Sequence, residues 1–189
     1  MIRQMGCILV VTTILSAGQL TMAQTQTQDK ESKTNSVKSA KLGTTRNVHS
    51  CGKLFLAGQF QAEDFDVFSK KSIERIITLR TDGEIKWDEK SKAEKAGFKF
   101  VEVPFRAPDS LDDKVFDKIR KLLKEDSKST LLHCGSANRV GAVWLPYRVL
   151  DENVDLETAL KEAKEIGLRN KDYESKALDY IKRHKEKKK

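Results

Sequence analysis

The chain has 189 residues, 38% of them hydrophobic and 34% charged, which gives room for one sizeable core but not two and excludes the disordered and fibrous classes. The formal charge of +8 sits in the ends: residues 1–46 hold six Lys/Arg against two Asp/Glu and residues 182–189 hold six against one, leaving −1 between them. A duplex-binding domain carries its basic surface on the fold, so nucleic acid is excluded as a partner and the basic ends read as solvated tails.

In chain order, Arg3, an apolar run over 7–17 and Thr21-Met22-Ala23 form the pattern of an export signal over residues 1–23. The run is shorter than the approximately 20 apolar residues that span a bilayer. The expected location is therefore the bacterial periplasm or the extracellular space, with no stable membrane insertion once the signal is removed. Residues 24–46 are rich in Gln, Thr, Ser and Lys and read as a flexible polar linker. A single domain is expected over 47–182, followed by a basic disordered tail over 183–189.

Within the domain, Leu54–Ala57 reads as a strand and 62–71 as a helix with Phe65 and Phe68 on one face. A strand over 75–79 follows, then the loop Arg80-Thr81-Asp82-Gly83-Glu84, a helix ending near Gly97, and a strand over 99–103. Ser110 with Asp113 resembles a capping box for a helix carrying Leu111, Val115, Ile119 and Leu122. Thr130–His133 is a buried strand, and 140–150 reads as a helix that Pro146 should kink. Asp155 caps a helix stopping at Gly167, and 172–182 is the last. Strands alternating with helices predict an α/β domain with a mostly parallel four- or five-stranded sheet and helices on both faces.

The chemistry concentrates in His133-Cys134-Gly135-Ser136-Ala137-Asn138-Arg139. A strand that delivers a loop opening a helix presents amides with no internal partner, and these bind phosphate. The positive helix end favours the thiolate of a cysteine placed there. Gly135 permits close approach, the amides of Gly135, Ser136, Ala137 and Asn138 form the cradle, and Arg139 offers a planar fork for two phosphate oxygens. By itself Cys134 reads as an inert buried cysteine; the surrounding residues reverse that. His133 reads as a residue that orients the loop, and Arg80 equally as a second phosphate contact or a strand-end charge. Cys51 reads either as a small strand-edge residue or as a thiol that caps Cys134. Trp87 and Trp144 read as core or rim, and His49 and His184 as surface residues. No spacing of Cys and His suggests a metal, and no cofactor is required.

The loop resembles the phosphate-binding signature of the cysteine-dependent phosphatases. The segments from Leu54 to Gln59, Leu79 to Glu84 and Val154 to Leu160 are similar to bacterial dual-specificity-phosphatase-like proteins, in particular β-lactamase-hydrolase-like phosphatase domains and those fused to NAD kinases. The resemblance covers about Val48 to Tyr180. It implies the cysteine-phosphatase fold, hydrolysis of a phosphorylated substrate with Cys134 as nucleophile, and an aspartic acid on the loop after the third strand. Asp109 is the first choice for that acid, and Asp82, beyond the end of a parallel strand, the alternative. Two departures stand out. Four residues separate Cys134 from Arg139 where the broad signature has five, and Val140 replaces the usual Ser or Thr that assists thiolate departure, a role Ser136 fills only in part. The short spacing is also that of rhodanese sulfurtransferases, so sulfur transfer is one alternative, and anion binding without turnover is another.

Overall fold

The computed structural model describes residues 35–125 and 128–186. At its centre lies β6 (Thr130–His133), whose Thr-Leu-Leu-His run is buried throughout because neighbours cover both of its edges and both of its faces. β3 (Leu54–Ala57) and β4 (Arg75–Thr78) pair with it in parallel, so that Ala57, His133 and Thr78 end level. β5 (Lys99–Glu102) extends the parallel set beyond β4. On the other side β2 (His49–Cys51) and β1 (Lys38–Ser39) add antiparallel strands, giving the order β1-β2-β3-β6-β4-β5.

The sheet thus has six strands where four or five were expected. The two extra ones come from short polar runs without strand patterning. The segment read as linker up to Arg46 is built into the fold at its C-terminal end, where Leu42 is fully buried and residues 38–39 form β1. The proposed signal and the rest of the linker lie outside the described residues.

Alternation along the strands divides the core in two. Leu56, Ile77 and Leu132 join one apolar cluster, with α3 (Asp113–Leu123), α4 (Asn138–Leu150), α5 (Leu156–Ile166) and α6 (Lys171–Glu186). Ala57, Ile76 and Leu131 join the other, with Phe65 and Phe68 of α1 (Phe65–Lys70) and Ala93 of α2 (Glu89–Lys95). Helices therefore cover both faces. Every residue of α4 from Arg139 to Leu150 is buried, since the sheet, α3, α5 and α6 enclose it. That explains its lack of an amphipathic pattern. Pro146 sits inside it without ending it.

Other details differ from expectation at element ends. The cap of α3 is Asp112, which accepts from the Val115 amide at 3.0 Å, while Ser110 belongs to the preceding 3-10 turn Pro108–Ser110. Asp155 caps α5 as expected, accepting from Thr158 at 2.9 Å. α6 runs on to Glu186, past the expected end at 182, because Arg183 reaches Asp113 of α3 at 2.6 Å. Trp144 is fully buried, its indole N–H donating to Glu162, and Trp87 packs edge-on against Phe60 and Phe65.

Candidate active site

The parallel strands all point their carboxyl ends at one rim, where ligands bind in open α/β sheets. Pairing on both edges fixes the end of β6: the Cys134 amide donates to Ala57 O at 3.3 Å and the Leu79 amide to His133 O at 3.0 Å. The chain then leaves the sheet and enters α4 within four residues. Ala137 makes that reversal in a left-handed conformation (φ 65°, ψ 3°), which costs an alanine about 1 kcal/mol. Surrounding backbone holds the loop in place. A Cβ on Gly58 would stand 3.2 Å from Gly135 O, and one on Gly167 would stand 3.1 Å from Ser136 O, so neither position admits a larger residue without movement. The Asn138 side chain accepts from the Arg169 and Asn170 amides at 2.8 and 3.2 Å, tying the start of α4 to the turn before α6.

Among the described residues, the amides of Gly135, Ser136, Ala137, Asn138, Arg139 and Val140 donate to nothing. They are the orphan donors of a buried helix start, a nest for an anion. Cys134, 1% exposed, begins the loop.

Arg139 lies across this site in a fixed attitude. Its Nη1 donates to Glu84 Oε1 at 2.7 Å, Phe105 O at 2.8 Å and Leu79 O at 2.9 Å, and its Nη2 to Glu84 Oε2 at 2.5 Å. The Nη1 donors are thus spent on the scaffold, and the guanidinium also interacts with the Cys134 side chain. Burial works against charge on both partners of the ion pair, but their mutual bonds outweigh it. The Glu84 carboxyl, also bonded by the Thr81 amide and hydroxyl, is held down at about 2, and the guanidinium is held above its ordinary range.

On the opposite face of the sheet His133 is fully buried beside Phe60, its Nε2 3.6 Å from Glu89 Oε1. Burial first, and then the charge of Arg80, push its pKa down to about 3, so the ring is neutral. Arg80 donates through Nη2 to Glu89 at 2.5 Å in a buried pair, while its buried Nε and Nη1 have no hydrogen-bond partner among the described residues. Burial raises the Glu89 carboxyl above its ordinary value. The unfolded chain takes up a proton on His133 near pH 6.5 and the folded chain only near 3, so stability is complete above 6.5 and falls as pH drops through that window. Glu84 adds to the loss below about 4.5, while Glu89 opposes it. The melting temperature is expected to fall steadily from pH 7 to 4, with a shallower slope in His133→Gln; an equal slope in that variant would remove His133 as the cause.

The structure therefore brings together Cys134, the loop amides and Arg139. It does not bring Arg80 there, and Asp82 is exposed on a separate groove shared with Arg80, Trp87 and Glu89. Asp109 lies on the turn after β5 that begins at Phe105, whose carbonyl Arg139 holds, but its side chain is fully exposed, with Lys176 Nζ at 4.0 Å. Tyr173 secures the same segment by donating to Arg106 O. Ser136 is exposed, and Val140 is fully buried in apolar core. Cys51 is unpaired at the far end of the sheet. It pairs with Leu54, which is level with Thr130, four residues before Cys134. That is about 13 Å along the strand, whereas a disulfide needs Cα atoms within about 7 Å. The reading of Cys51 as a capping thiol is thereby corrected.

Glu84 is the residue the sequence reading missed. It stands in the Leu79 to Glu84 segment that carried part of the resemblance, but its partner lies 55 residues away.

The sequence matches no family model and no curated protein. Solved structures do match. A DUF442 protein from Shewanella putrefaciens superposes with a TM-score of 0.64 at 16% identity, over 75% of this chain and 95% of that one. TpbA from P. aeruginosa, solved in complex with pTyr, gives 0.62 at 18% over 78% and 88%. The catalytic core of Siw14 gives 0.61 at 17% over 79% and 96%. The chain has the fold of the cysteine-based phosphatases, as the resemblance implied.

Proposed function

We propose that the protein hydrolyses phosphomonoesters by way of a cysteinyl phosphate. The Cys134 thiolate attacks phosphorus, the bond to the ester oxygen breaks, and Asp109 gives that oxygen a proton. Water then cleaves the S–P bond, releasing phosphate and restoring the thiolate. Arg139 and the loop amides carry the charge of the phosphoryl oxygens through both steps. The observation that carries this reading is the set of six unpartnered amides running from the cysteine into α4, closed by an arginine anchored on Glu84.

Hydrolysis of p-nitrophenyl phosphate and phenyl phosphate by the wild type and by Asp109→Asn tests it. The wild type is expected to hydrolyse both. The variant should lose about 100-fold on phenyl phosphate, whose leaving oxygen needs a proton, and under threefold on the nitrophenyl ester. Equal losses on both would remove Asp109 as the acid. Sulfur transfer from thiosulfate to cyanide without ester hydrolysis would assign the loop to a persulfide instead.

We further propose that the protein acts outside the cytoplasm, on the strength of Arg3, the apolar run over 7–17 and Thr21-Met22-Ala23. The exported protein is expected to begin at Gln24 on N-terminal sequencing; a retained Met1 would overturn this.

A further inference from the structure

The catalytic loop opens into a cavity of about 510 Å³, far larger than one phosphate, that extends from Gly135, Ser136 and Arg139 toward the turn between α5 and α6. Its outer wall carries two further guanidinium groups. Arg46 is fixed by its backbone, which accepts from the Gly58 amide at 2.8 Å and donates to Gln59 O at 3.1 Å. Gly58 in turn backs onto Gly135. The exposed guanidinium of Arg46 has no hydrogen bond or ion pair among the described residues. Arg169 follows the turn that holds Asn138, and among the described residues its only side-chain bond is from Nη2 to Ser136 O at 3.4 Å, with no carboxylate. Lys164 is shared with Glu174, and Glu165, the one carboxylate on the wall among the described residues, stands toward His49. Among the described residues, no aromatic side chain lines the cavity. Phe105 and Tyr173 pack on each other in the interior, and Trp87 lies on the separate groove beside Asp82.

A phosphotyrosine gains its affinity from a ring stacked on apolar or aromatic walls. This wall offers instead planar forks suited to phosphate oxygens. We propose that the substrate is a small molecule bearing at least two phosphate groups, one seated on the Cys134 loop and a second held by Arg46 and Arg169. The proposal rests on the phosphomonoesterase reading for what happens to the first phosphate, and adds what selects the molecule that carries it.

The test uses alkanediol bisphosphates two to six carbons long, the matching monophosphates, and phosphotyrosine. Binding is measured by calorimetry on the full-length Cys134→Ser protein, and kcat/KM on the protein with Cys134 intact. At the best chain length the bisphosphate is expected to bind at least tenfold more tightly than its monophosphate, and the kcat/KM ratio should follow. Adding Arg46→Ala and Arg169→Ala together should bring both ratios to within about twofold of one. Because each ratio compares two ligands on one protein, damage to the loop cancels. A wild-type ratio near one at every length, a ratio unmoved by the double substitution, or a preference for phosphotyrosine over every bisphosphate would overturn the proposal. Absence of hydrolysis with the binding ratio intact would sink the phosphatase reading and leave the two-phosphate site standing.

Discussion

Cys134→Ser is expected to lower hydrolysis of p-nitrophenyl phosphate by about 10⁴-fold or more while leaving inorganic phosphate bound. A serine hydroxyl on this loop has no base to ionise it. The nearest histidine in sequence, His133, points to the other face of the sheet, is fully buried and, with a pKa lowered to about 3, is a weak base. Its place is enclosed by Phe60, Glu89 and Arg80, so it cannot swing round. The loop amides and Arg139 stay as they are, because Ser differs from Cys by one atom. Two measurements decide the matter: the rate, and the rise in melting temperature on adding phosphate. Retention of more than a hundredth of the rate would show that Cys134 is not the nucleophile. Loss of the phosphate-induced stabilisation together with the rate would show instead that the substitution had disrupted the loop.

Arg139→Lys is expected to cost about 10³-fold in kcat/KM, or about 4 kcal/mol of transition-state stabilisation at 1.36 kcal/mol per decade. The guanidinium does two jobs that an ammonium cannot combine. Through Nη1 it ties together Leu79 O, Phe105 O and Glu84, three points on separate strand ends and loops. It also interacts with the Cys134 side chain. A lysine would keep one positive charge but would take the Glu84 side, leaving the phosphoryl oxygens unheld and the Phe105 carbonyl without its donor. Glu84→Gln, which keeps one acceptor and removes the charge, should cost only about tenfold, mainly in kcat, since Arg139 loses orientation but not its contact with substrate. If Glu84→Gln matched Arg139→Lys, the carboxylate would have a chemical role of its own. If Arg139→Lys cost less than tenfold, the loop amides alone would carry the anion.

The sequence made the Cys134 loop legible because everything that defines it is local. The β-rich run Thr130–His133, the cysteine and the arginine that opens a helix lie within ten residues, and the structure joins them as their order suggested. Whereas α4, buried all round, was marked only by its apolar run, the four parallel strands and the helices that bury one face, such as α3 and α5, were also marked by period and caps. β1 and β2 were not. Lys38–Ser39 is exposed and His49–Cys51 only half apolar, so each is a strand because of its partner and not because of its own residues. The ion pair of Glu84 with Arg139 was invisible for the same reason: nothing in Thr81-Asp82-Gly83-Glu84 distinguishes a turn carboxylate from one that reaches across the molecule. Asp82 and Arg80 looked equally suited to the site by position, and only the twist of the chain after Thr78 sends Arg80 to Glu89 and Glu84 to Arg139.

The complete enclosure of α4 sets how the site responds to ionic strength. The body of the helix is wrapped in protein and its dipole acts on the loop through a medium of low polarisability, so the pull of the loop on phosphate is screened less than that of an exposed side chain. Arg46 and Arg169 stand in solvent, where a Debye length of about 8 Å at physiological ionic strength already weakens them. The candidate site thus holds two electrostatic regimes side by side. Rising salt should erode the choice among phosphorylated molecules well before it touches the chemistry performed on whichever one is bound.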